Sequence, residues 1–104
     1  MIQYFLLEKS LVPNKKYTIY RFDSTGKLPL KKISFGASGY EDYTTHKNEE
    51  RKNMYIARHR GREDWTKSGI NTAGFWAKHL LWNKPSLSES IKDTEKKFNI
   101  KINT

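Results

Sequence analysis

Five side chains between residues 51 and 62 are of types that together bind anions. They are Arg51, Tyr55, Arg58, His59 and Arg62. On a helix the last four follow the first by 4, 7, 8 and 11 residues, so all five share one side. One guanidinium group can donate to two phosphate oxygens at once, and aromatic rings offer surfaces on which bases stack. We therefore predict a site for nucleic acid or another polyanion, formed by these five residues together with Lys52 and Trp65.

The alternative is that these arginines pair with acids of the same chain on the solvated surface. Four acids lie close in sequence: Glu49, Glu50, Glu63 and Asp64. The basic residues are also spread along the whole chain, so a single groove is not required. Among the tryptophans, Trp76 falls in an apolar stripe and is predicted to be core, whereas Trp65 and Trp82 are candidate surface platforms for stacking.

A metal site is a weaker interpretation of the same region. The candidate ligands are His46, His59 and His79, with Asp42 and Glu50 as oxygen donors. Only His46 and Glu50 are one helical turn apart, and two ligands of mixed type are less than metal sites normally use. We predict no metal and no cofactor.

The same residues could also belong to an enzyme. His46 or His59, beside Tyr43, Tyr55 and the arginines, could provide the acid–base group and the charge stabilisers of a metal-free phosphodiesterase. The residues before the helix contain no nucleophile motif, and the Gly36–Gly39 loop lacks the lysine of a phosphate-binding loop. A non-enzymatic protein is therefore the prediction, with the phosphodiesterase as a further alternative.

The elements that position these residues begin with strands. An apolar run at residues 2–8 predicts a buried strand, and residues 16–22 alternate with period two and carry apolar groups on both faces, as a central strand does. A turn at residues 23–26 leads to a third strand at residues 28–35, which Pro29 weakens because it cannot donate to a ladder. Residues 100–102 also alternate, and they are predicted to pair with an edge of the sheet.

Three helices are predicted to follow, at about residues 46–60, 72–83 and 86–99. The first is capped by Thr44 or Thr45, has acids in its first turns and bases at its end, in agreement with the helix dipole. Thr72 caps the second. Ser86, with Glu89 three residues later, starts the third in the pattern of a capping box. The predicted fold is α+β, a small antiparallel sheet of three or four strands in the N-terminal half packed with these helices.

Composition sets the remaining bounds. The 104 residues suffice for one domain, residues 1–104, and the net charge of +9 favours polyanionic partners. The sequence has no cysteine, which excludes disulfides, thiolate zinc sites and a cysteine nucleophile. The opening apolar run is too short for a secretory signal or a membrane span, so a soluble intracellular protein is expected.

The sequence over about residues 31–100 resembles a family of small basic proteins encoded by large nucleocytoplasmic DNA viruses, including giant viruses of algae and amoebae. Three motifs carry the resemblance: Phe35-Gly36…Gly39-Tyr40…Asp42-Tyr43-Thr44, Arg51…Tyr55-Ile56…Arg58-His59, and Phe75-Trp76…Leu81-Trp82-Asn83-Lys84-Pro85. The resemblance implies no catalytic residue. It implies a viral protein, located in the virion and, during assembly, in the host cytoplasm or nucleus. Such a protein either coats nucleic acid or, as a minor capsid or scaffold protein, binds acidic faces of other capsid proteins.

Overall fold

Four strands form one mixed sheet in the order β3-β2-β1-β4. The computed structural model describes residues 3–23 and 25–104 and has strands β1 (Gln3–Lys9), β2 (Lys15–Phe22), β3 (Pro29–Ala37) and β4 (Ile100–Asn103). The predicted strands are therefore confirmed, except that Ile2 of the first strand and Ser24 of the following turn lie outside the described residues. The α+β prediction is confirmed as well.

The sheet is antiparallel in its first three strands and parallel at its last. β1 pairs with β2, and β2 with β3, in antiparallel register, so β2 is an interior strand as its two-sided apolar pattern predicts. β4 lies parallel to β1, with Gln3 opposite Ile100. β3, which begins at Pro29, is an edge strand, the position that a proline tolerates.

One face of the sheet carries the core. Opposed residues of neighbouring strands share a face, and the pairs Leu7–Ile19 and Ile19–Ile33 are all buried. The edge strand β4 adds the buried Ile100 and Ile102. Helical residues cover this face with the fully buried side chains Phe75, Trp76 and Leu80, so the predicted core position of Trp76 is confirmed.

Two helices lie between residues 43 and 59, where the sequence predicted one at residues 46–60. The first, α1 (Tyr43–His46), is capped by Asp42; the second, α2 (Glu49–His59), is capped by the side chain of Asn48, which accepts from the backbone N–H of Arg51. The predicted caps Thr44 and Thr45 lie inside α1 and are wrong. The two helices are separate because Lys47, between them, adopts a left-handed backbone (φ 54°).

The other two predicted helices are confirmed with one departure. Thr72 caps α3 (Ala73–Trp76) by accepting from the N–H of Phe75, but the helix then widens into a π-helical turn at Ala77–Leu81. The last helix, α4 (Leu87–Phe98), is capped by Ser86, which accepts from the N–H of Glu89. A 3₁₀ turn at Lys67–Gly69 lies between α2 and α3.

Within the described part of the chain, every helix is too short or too polar to span a lipid bilayer.

Candidate anion-binding cleft

A cleft of about 550 Å³ lies between α2 and the end of the sheet. α2 contributes Arg51, Met54, Tyr55, Arg58 and His59. The sheet and the loop after β3 contribute Lys16, Gly36, Ala37, Tyr40, Glu41 and Asp42. The π-helical turn and the residue after it contribute Ala77, Leu81 and Trp82. The cleft therefore combines the predicted anion-binding face with a wall that comes from distant parts of the sequence.

A column of rings holds α2 in place. Tyr55 is stacked between Trp82, whose ring centroid is 4.4 Å away at an interplanar angle of 3°, and His59, at 4.2 Å and 26°. Tyr55 is 8 % exposed, and it is the buried residue of α2. Because both of its faces are covered, the Tyr55 ring is a rigid part of the wall of the cleft.

The charges of the cleft are partly neutralised from within. The Nζ of Lys16 donates to Asp42 Oδ2 at 2.6 Å, and Nη1 of Arg51 donates to Glu41 Oε1 at 3.2 Å. Arg58 is exposed and has no ion-pair partner among the residues that the structure describes. Three cationic side chains and two carboxylates line the cleft, which leaves an excess of one positive charge.

Asp42 fixes the floor of the cleft. Its carboxylate is almost fully buried and accepts from the backbone N–H of Thr44 as well as from Lys16. The pair thus ties β2 to the first turn of α1, at the base of the loop that carries Tyr40 and Glu41. Breaking it would leave a charge in a partly buried position without its partner, which is costly.

Two titratable rings near the cleft, those of Tyr55 and His46, are neutral at physiological pH. Burial, and after it the charge of Glu63, raises the pKa of Tyr55 to about 12, so its phenol keeps its proton. Burial, and after it the charge of Arg51, lowers the pKa of His46. Nδ1 of His46 accepts from the N–H of Asn48 at 2.9 Å, which places the proton of the neutral ring on Nε2.

A model of a family of unknown function, DUF5754, matches residues 6–59 of this sequence, just over half of the chain. The chain belongs to the DUF5754 family. The matched region runs from β1 to the end of α2 and so contains every residue of the cleft except Ala77, Leu81 and Trp82. No curated protein and no solved structure is significantly similar to the chain. Membership of this family brings no activity with it.

The DUF5754 region contains four of the predicted binding residues at the cleft: Arg51, Tyr55, Arg58 and His59. The other three lie elsewhere. Nζ of Lys52 donates to the carbonyl of Asn83 at 2.7 Å and lies 5.0 Å from the centroid of the Tyr43 ring. α2 ends at His59, so Arg62 does not continue its face. Trp65 packs beneath Lys78, whose Nζ lies 5.5 Å from the centroid of the Trp65 ring.

Several residues of the cleft were not predicted from the sequence. Lys16 and Met54 gave no signal of their own, and Tyr40 appeared only within a motif of the resemblance. Their position depends on how the sheet approaches α2, which is not encoded in local spacing. The clearest available signal was Gly36, because a glycine that ends a strand is typical of a close backbone approach.

The structure also shows where the candidate metal ligands lie and which acid pairs with an arginine. Of the candidate metal ligands, His79 is buried in the core on the far side of the π-helical turn from the cleft lining, and His46 is engaged with Asn48. No group of three or more His, Asp or Glu side chains converges within residues 3–23 and 25–104. The alternative was that the arginines pair with Glu49, Glu50, Glu63 and Asp64; among the described residues Arg51 pairs with Glu41 instead.

Proposed function

We propose that this protein binds nucleic acid through the cleft, without catalysing a reaction, as a component of a virus particle. The observation that carries the proposal is Arg58, an exposed guanidinium without an internal carboxylate partner in the described part of the chain, at an aromatic-lined cleft that also contains Arg51. The excess of basic over acidic residues in the whole chain, 20 against 11, also supports the proposal. The likeness to small basic viral proteins supports the location.

The guanidinium groups of the cleft suit a phosphate ligand. A planar guanidinium can donate two parallel hydrogen bonds to a phosphate. The pair between Arg51 and Glu41 is largely exposed at both side chains, so its contribution to stability is small and a phosphate can compete for Arg51. Two guanidinium groups separated by about two turns of α2 can therefore contact neighbouring phosphates.

The first prediction concerns the double variant Arg51→Ala with Arg58→Ala. We expect its affinity for a fluorescein-labelled oligonucleotide to fall by about tenfold or more, since a charged hydrogen bond contributes roughly 1.5–3 kcal/mol. Fluorescence anisotropy over a NaCl series should also show a shallower dependence, by about 0.7–0.9 in log–log slope for each phosphate that the variant no longer neutralises.

The matched control removes two charges elsewhere. Lys92 and Lys96 are exposed on α4 and do not line the cleft, so Lys92→Ala with Lys96→Ala should bind nearly as the unaltered protein does. A response to salt that is flat, or equal losses of affinity in the two double variants, contradicts binding at the cleft.

A minor capsid or scaffold protein is the second candidate function, and the rim of the cleft favours it. Tyr40 is 74 % exposed and Met54 is 53 % exposed, and tyrosine and arginine often dominate the energy of protein interfaces. An acidic face of a capsid protein would then meet Arg58. In purified particles this role predicts copies on the shell, with no binding of oligonucleotides; a location with the genome contradicts it.

A further inference from the structure

The cleft can neutralise few phosphates, and this limits the form of nucleic acid that it accepts. Lys16 is held by the buried carboxylate of Asp42 and is not available. Arg58 is available, and Arg51 becomes so when the exposed Glu41 releases it. The cleft therefore offers one or two phosphate contacts, far fewer than a protein that wraps a duplex backbone makes.

The aromatic surfaces of the cleft are equally restricted. Tyr55 cannot stack on a base because Trp82 and His59 already cover its two faces. Tyr40 is different: its ring stands at the rim, is 74 % exposed and stacks on no other ring of the described residues. It follows Gly39, which adopts a left-handed backbone (φ 85°), so the side chain projects from a tight turn beside the cleft.

The two observations together identify the kind of ligand. A base inside a duplex is stacked on both faces and cannot reach a ring at the edge of a recess, whereas an unpaired base can. The volume of about 550 Å³ lies within the range of small-ligand pockets, which is the scale of one nucleotide. We propose that the cleft takes one unpaired nucleotide of a single strand, with its phosphate on Arg58 and its base stacked on Tyr40. This inference rests on the proposed function and makes it more specific.

The test compares three labelled probes: a short oligothymidylate, the same strand annealed to its complement, and an abasic oligomer with the same number of phosphates. We expect the single strand to bind about tenfold more tightly than the other two, since stacking on one aromatic ring has roughly that effect. Because one or two phosphates are neutralised, the log–log salt slope for the single strand should lie between about −0.7 and −1.4.

The variants separate stacking from charge. Tyr40→Ala should bind the single strand only as tightly as it binds the abasic oligomer, and Tyr40→Phe should restore the preference because the ring is retained. Tyr4 is also exposed but lies on β1, away from the cleft, so Tyr4→Ala should change nothing. A nucleotide bound in the cleft should quench the fluorescence of Trp82, which lines it. This quenching should be absent in the variant Trp82→Phe.

Each outcome decides one of the two proposals. If all three probes bind alike and the arginines are still required, the protein binds nucleic acid but the single-nucleotide inference is overturned. A preference for the single strand that survives Tyr40→Ala also overturns it. If no probe binds, the proposed function fails and the inference with it.

Discussion

The imidazole of His79 packs against the rings of Phe75 and Phe98, whose centroids lie 4.5 and 4.9 Å from its own, and is 2 % exposed. Burial lowers the pKa of His79 to about 4, and the hydrogen bond to the Trp65 carbonyl only partly opposes this. That carbonyl can only accept, so at 2.9 Å the ring donates from Nε2. Because its pKa is about 4, the ring is neutral at physiological pH. Nδ1 is then a buried acceptor without a partner in the described residues. A neutral histidine in the core makes stability depend on pH.

We predict that the stability of the protein falls with acid at pH values well above those at which carboxylates titrate. Unfolded His79 takes up a proton below its ordinary pKa of about 6.5, and the folded ring does not until about pH 4. The free energy of unfolding should therefore be highest above pH 6.5 and fall by about 2 kcal/mol between pH 6.5 and 5. Urea denaturation across this range measures it.

The control for this prediction is His79→Gln, whose amide can still donate to the Trp65 carbonyl but cannot take up a proton. The stability of this variant should fall much less between pH 6.5 and 5 than that of the unaltered protein, and the slope that remains comes from His46, whose pKa burial also lowers. A slope as large as that of the unaltered protein would mean that another group causes the acid sensitivity.

At the scale of elements, Gly36 sets how closely β3 approaches the π-helical turn. Its backbone is left-handed (φ 78°), and a Cβ at this position would lie 2.8 Å from Leu81 Cδ1 and 3.2 Å from Lys16 Cβ. Both of those residues also line the cleft. The glycine thus allows sheet and helices to meet at the floor of the cleft.

Gly36→Ala should destabilise the protein by about 2–3 kcal/mol, from the strained backbone conformation and the displacement of Leu81 together. Gly39→Ala is the matched control because Gly39 is also left-handed but has open space around it, so it should cost only about 1 kcal/mol. The midpoints of urea unfolding compare the two. If Gly36→Ala costs no more than Gly39→Ala, the close approach does not contribute.

The limits of sequence-based prediction are clearest in the same elements. An apolar run, two alternating segments and the turn at residues 23–26 were enough to predict all four strands. The caps Thr72 and Ser86 gave the correct starts of two helices. The start of α2 was missed because Lys47 adopts a left-handed backbone, which a lysine rarely does and no local pattern indicates. The π-helical turn, in which Leu80 and Leu81 are buried, was not predicted either, because no local pattern in the sequence indicates it.

The candidate site was predicted only as far as one helix could show it. Helical spacing correctly placed Arg51, Tyr55, Arg58 and His59 on one side of α2. The opposite wall, with Tyr40 and Lys16, depends on tertiary contacts between the sheet and the helices. Arg62 was included by extending the helical spacing past His59, where α2 ends.

Over the whole chain, positive side chains outnumber the negative ones with which they could pair. The net charge is +9, and two ion pairs form among the residues that the structure describes. Repulsion between the remaining cations therefore acts against the folded state more than surface ion pairs support it. Salt screens charges that are exposed and far apart before it affects a pair that is largely buried, such as Lys16 with Asp42.

We therefore expect the melting temperature to rise by a few degrees, about 4 °C for each kcal/mol of repulsion removed, between low-salt buffer and about 0.15 M NaCl. Differential scanning calorimetry measures this shift. Lys31→Glu with Lys32→Glu, on the exposed part of β3, should raise the melting temperature at low salt and reduce its dependence on salt. A melting temperature that falls as salt is added would show that attraction dominates. Salt thus has opposite effects on folding and on the proposed binding.

The position of β4 has a consequence for how the chain is made in the cell. β1 is synthesised before Ile100–Asn103, which complete one of its edges. The early part of the chain cannot close its core against Ile100 and Ile102 until then, so an interior strand waits with an open edge during translation. The three antiparallel strands can form beforehand, but the sheet is complete only after β4 has left the ribosome.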